Sequence, residues 1–311
     1  ALMMKHKLPY LIFPLLVMLI FSCQPSPQVL WQIGEGDNSA GEFALSYDTY
    51  EQFLDQDFGW EDGYYLIGHS NEKEDWPFIL PGPSDQWGGT WGTAGWRSHT
   101  LTILFGMQEV PRNGAWTLTI DLVSKHRDDP PVFKATVNGK AWKFNLPQGK
   151  SNDITADVVS DTSEYVIEIA LPDGLIREGG NEIRLTTLQG SWLIFDQVRM
   201  TGPGKAQLKH QEDLFVRKVE TADYEIKNSN GPAQALLVDV EHLEGEPELH
   251  VVLDGETIFK EVPVRGRYIY EAPMPPVESV QESSYRILCN GSLLDEGTIL
   301  RRPVEAVTPA D

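Results

Sequence analysis

From Trp31 onward, short apolar runs alternate with Gly, Pro, Asn and Asp, and few stretches carry a helical period. Thr100 to Phe105 and Trp116 to Leu122 alternate apolar and polar side chains with period two, the pattern of a strand with one face on a core. Val132 to Val137 does the same and runs into Asn138-Gly139. That dipeptide is the strongest short hairpin signal, because both central residues of the favoured turn need positive φ. Ala141 to Phe144 then reads as the returning strand, and Glu164 to Ile169 as another. Gly179-Gly180-Asn181 reads as a turn into a strand over Glu182 to Leu188, and Thr49 to Asp55 as one or two helical turns. Many short strands punctuated in this way predict an all-β jelly-roll sandwich over residues 29–203.

Gly202-Pro203-Gly204 and the polar stretch behind it predict a linker over 204–212. Beyond it, Leu214–Val219, Ala235–Val240, Leu249–Leu253, Thr257–Val262, Arg267–Ala272 and Tyr285–Leu288 recur about every ten residues, with turns at Asp254-Gly255 and Asn290-Gly291. Residues 213–302 therefore read as a smaller immunoglobulin- or fibronectin-like sandwich, without the Cys-Trp-Cys triad of true immunoglobulin domains. The Pro-rich, charged residues 303–311 read as a connection to a further domain.

The N-terminus reads as a targeting segment. Lys5-His6-Lys7, an apolar run from Leu8 to Phe21, and Ser22-Cys23 have the order of a secretory signal. The thiol at the cut predicts a bacterial lipoprotein signal over 1–22, lipid on Cys23 and a tether over 23–28. An ordinary signal with a chance cysteine is the alternative. The expected location is that of an exported lipoprotein, in the outer membrane or facing the periplasm. Once Cys23 is lipidated, Cys289 is left without a disulfide partner.

The formal charge is −21 at pH 7. Nucleic-acid binding rests on cations that displace counterions from phosphate, so it is excluded as a function class. A long polyanion is disfavoured too, unless calcium or a local basic pocket intervenes.

Candidate chemistry is concentrated in one aromatic stretch. Trp76, Trp87, Trp91 and Trp96 are interleaved with Gly82, Gly88, Gly89, Gly92 and Gly95. Indoles stack on the C–H faces of sugars and keep an N–H for bonding, but they also fill cores. Trp87, Trp91 and Trp96 are the candidate sugar platform, with Arg97, His99 and Asp85 placed to bond hydroxyls. The Asn138-Gly139-Lys140 turn is a second candidate contact through Asn138 and Lys140; a plain hairpin turn is the competing reading. Gly-x-Ser-x-Gly, the P-loop, dinucleotide fingerprints and His-Glu-x-x-His are absent. No catalytic residue is nominated.

Three groups of residues carry a family resemblance: Trp31-Gln32-Ile33-Gly34-Glu35-Gly36-Asp37 with Glu42-Phe43; Tyr65 to Ser70 with Asp75-Trp76-Pro77; and Asn181 to Leu185 with Ser191 to Asp196. In order and spacing they resemble the C-terminal β-sandwich module of family 4 polysaccharide lyases, the rhamnogalacturonan lyases, over residues 29 to 202. The resemblance implies a galactose-binding-like jelly roll that handles sugar, because catalysis in that family belongs to a separate N-terminal domain. Sugar-binding jelly rolls often hold a structural calcium at the start and end of the module. That makes Asp37 and Asp196 candidate ligands, against the alternative of two solvated carboxylates. No other cofactor is required. The tail is similar to the lead-in of bacterial exo-α-mannosidase-type glycoside hydrolases. The leading expectation is a lipid-anchored, non-catalytic protein, or the accessory region of a degrading enzyme, that binds an oligo- or polysaccharide of plant cell walls or host surfaces. An enzyme with its catalytic domain missing or downstream (a lyase or hydrolase) and a structural spacer are the alternatives.

Overall fold

The computed structural model describes residues 27–44, 64–87, 94–154, 164–210, 213–228 and 231–304. Among these the protein is all-β apart from one helical turn. In chain order the first part contains β1 (Gln28–Ile33), β2 (Tyr64–Leu66), α1 (Glu72–Asp75), β3 (Ile79–Leu80), β4 (Thr100–Glu109), β5 (Trp116–Lys125), β6 (Val132–Val137), β7 (Lys140–Asn145), β8 (Tyr165–Leu171), β9 (Gly179–Gln189), β10 (Leu193–Gly202) and β11 (Gln207–Lys209). One sheet runs β1-β10-β5-β8, with β3 also on β10. The other runs β11-β4-β9-β6-β7, with β2 parallel to β4.

The period-two pattern explains how the sheets face each other. Leu118, Ile120 and Leu122 of β5 are fully buried, as are Ile103 and Phe105 of β4, and all belong to one core. Trp76 lies at its centre, with ring centroids 5.1 Å from Phe195, 5.8 Å from Tyr65 and 6.4 Å from Phe43. Although β4 alternates in sequence, Thr100 to Met107 are all buried. Its outward Leu104 is covered by Leu66, Phe215 and Leu243, a second small cluster.

The second part contains β12 (Leu214–Asn228), β13 (Gly231–His242), β14 (Leu249–Leu253), β15 (Glu256–Glu261), β16 (Gly266–Pro273), β17 (Gln281–Cys289) and β18 (Ser292–Arg301). They form sheets β12-β13-β16 and β15-β14-β17-β18 around their own core of Leu236, Val238, Val251 and Ile287. All three expected hairpin turns have the backbone that their residues predict. Asn138, Asp254 and Asn290 have φ of 45°, 50° and 49°, each followed by a glycine with φ of 84–88°.

Two local expectations change. Gly179-Gly180-Asn181 is not a turn; it is the start of β9, paired with Met107, Gly106 and Phe105. Glycine is needed there because a Cβ on Gly180 would strike the Val216 carbonyl of the second sandwich. The stretch 204–212, expected as a linker, contains β11, which pairs with β4. From β11, Lys209 Nζ donates to the carbonyls of Leu293 and Leu294. At the same junction Arg217 bridges Glu182 of β9 and Glu241 of β13, at 2.6 Å each.

Candidate functional site

Strand register places the loops. Thr100 lies opposite Thr186 and Met107 opposite Gly179; Lys125 lies opposite Leu193 and Thr117 opposite Thr201. The segment leading into β4 and the β5–β6, β7–β8 and β9–β10 loops therefore gather at one end of the first sandwich. The second sandwich packs at the other end.

The described residues of these loops are tied to one another by hydrogen bonds. The Ser84 N–H donates to the Gly190 carbonyl at 3.0 Å, and Ser191 N–H to the Asp129 carbonyl at 2.9 Å. His126 N–H donates to the Trp192 carbonyl at 3.1 Å, and Arg127 N–H to the Ser151 carbonyl at 3.0 Å. Asp85 is the knot: its carboxylate accepts from Ser191 Oγ at 2.6 Å and from Gly82 N–H at 2.8 Å. Burial raises its pKa, and those two hydrogen bonds oppose the rise.

On this frame the tryptophans part company. Trp76 is 1% exposed and belongs to the core. Trp87 is half-buried and packs against the core's edge. Trp96 is 70% exposed and has φ of 60°. Its N–H donates to the Asp85 carbonyl at 2.6 Å. A bulky residue in the left-handed region costs about 1–3 kcal/mol and persists only where its surroundings fix it, often at functional sites. Arg97 is half-buried beside it, whereas His99 is fully buried, so its ring meets no surface ligand in this arrangement. Trp91, Cys23 and the stretch Thr49 to Asp55 lie outside the described residues.

Asn138 and Lys140 sit at the opposite end, since Val137 pairs with Ile183 near the start of β9. The Asn138 side chain is used within the fold. Its Nδ2 donates to the Leu175 carbonyl at 2.7 Å and to Asn181 Oδ1 at 2.8 Å, and its Oδ1 accepts from Glu182 N–H at 2.9 Å. The Lys140 ammonium lies 5.7 Å from the Trp142 ring centroid. The structure does not bring this turn to Trp96. It does bring His126, Arg127 and Lys150 onto the loop end, a set that strand patterning had no means of assembling.

Asp37 and Asp196 meet, and Glu42 joins them: one oxygen from each lies within 4.8 Å of the others. Asp196 sits at a bulge in β10 and is 1% exposed. Ser39 N–H donates to Asp196 Oδ1 at 3.2 Å and to Asp37 Oδ1 at 3.0 Å; Glu35 N–H donates to Glu42 Oε1 at 2.9 Å. Gly34, with φ of 80°, permits the close approach of this loop, since a Cβ there would strike the Asp196 carbonyl and the Phe43 ring. Burial, then the Asp121 charge, pushes the Asp196 carboxyl up to about 6. Burial raises Glu42 and Asp121 as well. An all-oxygen set of converging carboxylates suits a hard divalent cation such as calcium. Glu42 was visible in the opening motif, but nothing in its spacing marked it as the third carboxylate of this cluster.

The CBM-like model of polysaccharide lyase family 4, domain III, matches residues 29–200. The rhamnogalacturonate lyase of Dickeya dadantii (strain 3937) is 26% identical over 184 residues, which is 57% of this chain and 28% of that protein. The chain thus spans little more than a quarter of that relative's length. Among solved structures, a GH2 β-galacturonidase from Eisenbergiella tayi aligns at 10% identity and a TM-score of 0.23, over 64% of this chain and 34% of that one. The β-glucuronidase of Ruminococcus gnavus aligns at 10% identity and a TM-score of 0.21, over 66% and 36%. The family match covers more than half of the residues and both motifs that bracket the first sandwich: the chain belongs to the family of the CBM-like domain III of polysaccharide lyase family 4.

Proposed function

We propose that this is a lipid-anchored carbohydrate-binding protein, or the accessory region of a polysaccharide-degrading enzyme, which holds glycan on the loop end of its first sandwich. The observation that carries the reading is Trp96, a 70% exposed indole in a left-handed backbone on a loop frame tied by Asp85. The ring is presented, not packed, and a sugar face can lie against it. Family membership supports the ligand class, and the lyase's name supports rhamnogalacturonate as the first probe. Arg97, Arg127 and Lys150 lie on these loops beside Asp85, Asp128, Asp129 and Asp153, and Arg127 pairs with Asp128 at 2.8 Å. The reading therefore rests on the indole face and not on a basic excess that would offset the net charge of −21. Asp37, Glu42 and Asp196 hold a structural calcium in this reading.

Binding through a few exposed rings is expected at roughly 10⁻⁵ to 10⁻³ M. Trp96→Gly is the informative variant. Glycine accepts positive φ without strain, so the melting temperature should hold or rise while affinity for rhamnogalacturonan oligosaccharide falls tenfold or more. Unchanged affinity would remove Trp96 from the site. The anchor rests on Ser22-Cys23. Cys23→Ser should move the protein from the membrane to the soluble fraction of expressing cells; a variant that stays with the membrane contradicts the anchor.

A further inference from the structure

We infer that the second sandwich carries its own glycan groove, between the free edges of β15 and β16, and that it takes a neutral oligosaccharide. The groove lies outside the 29–200 family match and does not depend on the loop-end site. β16 ends the sheet β12-β13-β16, and β15 begins the sheet β15-β14-β17-β18, so two edges that are unpaired among the described residues border one lateral opening. That opening is a cleft of about 640 Å³.

Its floor is aromatic. Tyr268 and Tyr270 stand two residues apart on β16 and so share a face. Phe259 of β15 lies 5.8 Å from Tyr270, and Tyr270 lies 4.6 Å from Tyr268, centroid to centroid. Tyr270 is 7% exposed and belongs to the core, while Tyr268 is 49% exposed and carries the same floor out to solvent. The Tyr270 hydroxyl accepts from Val264 N–H at 3.0 Å, which leaves its own proton to donate.

Charge then selects within the glycans. Of the carboxylates at the cleft, Glu261 is on β15 two residues from Phe259 and so shares the floor's side. Glu271 lies on the other face of β16 from Tyr268 and Tyr270 and accepts from the Tyr224 hydroxyl. Among the described residues, no lysine or arginine lines the cleft. The Glu261 carboxylate beside an aromatic floor can accept from a hydroxyl of a neutral pyranose, and it repels a uronate carboxylate at close range. Exposed Val262, Val264 and Ile269 form an apolar rim around the aromatic floor.

The test titrates the full chain with cellohexaose, mannohexaose and galactohexaose, and with galacturonate hexamer, by calorimetry, alongside sedimentation. At least one neutral hexaose should bind, galacturonate hexamer should not compete with it, and Tyr268→Ala should weaken it about tenfold. Tyr268→Phe should retain binding, and Trp96→Gly should leave it unchanged. A Tyr268→Ala melting temperature close to that of the wild type would show that the variant is folded. The inference is overturned if no neutral hexaose binds, if Tyr268→Ala binds as the wild type does, or if Trp96→Gly alone abolishes the binding. Self-association lost in Tyr268→Ala, without hexaose binding, would make the groove a protein interface and overturn it equally.

Discussion

Calcium at about a thousand times its Kd is expected to stabilise the protein by about 4 kcal/mol at neutral pH, and far less below pH 5. The physical reason is the cost of Asp196. Its folded-state pKa stands near 6 against an ordinary 3.8, raised by burial and by Asp121. A group whose pKa rises on folding contributes stability while protonated; that contribution is present below about pH 4 and is lost as pH climbs through 6. Raised Glu42 and Asp121 act in the same sense. The metal-free protein should therefore melt at lower temperature as pH rises from 4 to 6.5. A bound cation neutralises the cluster and needs its carboxylates ionised, so the calcium-induced shift should grow over that same window. Asp196→Asn keeps the shape and removes the charge. It should lessen the slope of the metal-free pH profile, leaving the part due to Glu42 and Asp121, and abolish the calcium shift. A wild-type protein whose melting is indifferent to calcium at neutral pH would leave the cluster as crowded carboxylates without a metal.

The second large effect is expected at the junction. Arg217→Ala should cost about 3–5 kcal/mol, read from denaturant unfolding. Its side chain is 4% exposed, and the guanidinium donates to Glu241 Oε1 and Glu182 Oε2 at 2.6 Å each. Glu241 is buried at 2%, and burial already raises its pKa. Without Arg217 that carboxylate is stranded, since nearby Arg267 is held by Asp239 at 2.8 Å. Removing the stranded charge should recover most of the loss: in an Glu241→Gln background, Arg217→Ala should cost much less. A loss under about 1 kcal/mol would mean that water reaches the pair and that the bridge is ordinary surface electrostatics.

Much of this fold was written in the chain's alternation. Strands β4 to β8 follow runs in which every second residue is apolar, and the Asn-Gly and Asp-Gly pairs fixed three hairpins because so few residues accept their φ values. What escaped depends on neighbours distant in sequence. β18 carries Asp295-Glu296-Gly297 in its middle and lacks a clean period, yet it is held by nine partners along β17. Gly179-Gly180 carries the residues of a turn, but is a strand start made glycine by the approach of Val216.

The candidate site was legible in part. Asp37 and Asp196 came from a family resemblance, and Glu42 needed a folded loop to meet them. The tryptophan stretch was visible as a cluster, but composition cannot tell a core indole from a presented one. Trp76 at 1% and Trp96 at 70% exposure differ only in what surrounds them. Asn138 shows the reverse hazard, since a polar residue at a loop tip spends its hydrogen bonds on the fold.

The central claim is that the first sandwich holds glycan at Trp96 without cutting it. The most direct measurement is a calorimetric titration of wild type and Trp96→Gly with rhamnogalacturonan oligosaccharides of defined length, in calcium, followed by chromatography of the recovered ligand. The account predicts saturable binding by the wild type, a loss of tenfold or more in Trp96→Gly, and recovered saccharide of unchanged length. Shortened saccharide, or binding that Trp96→Gly leaves intact, would contradict it.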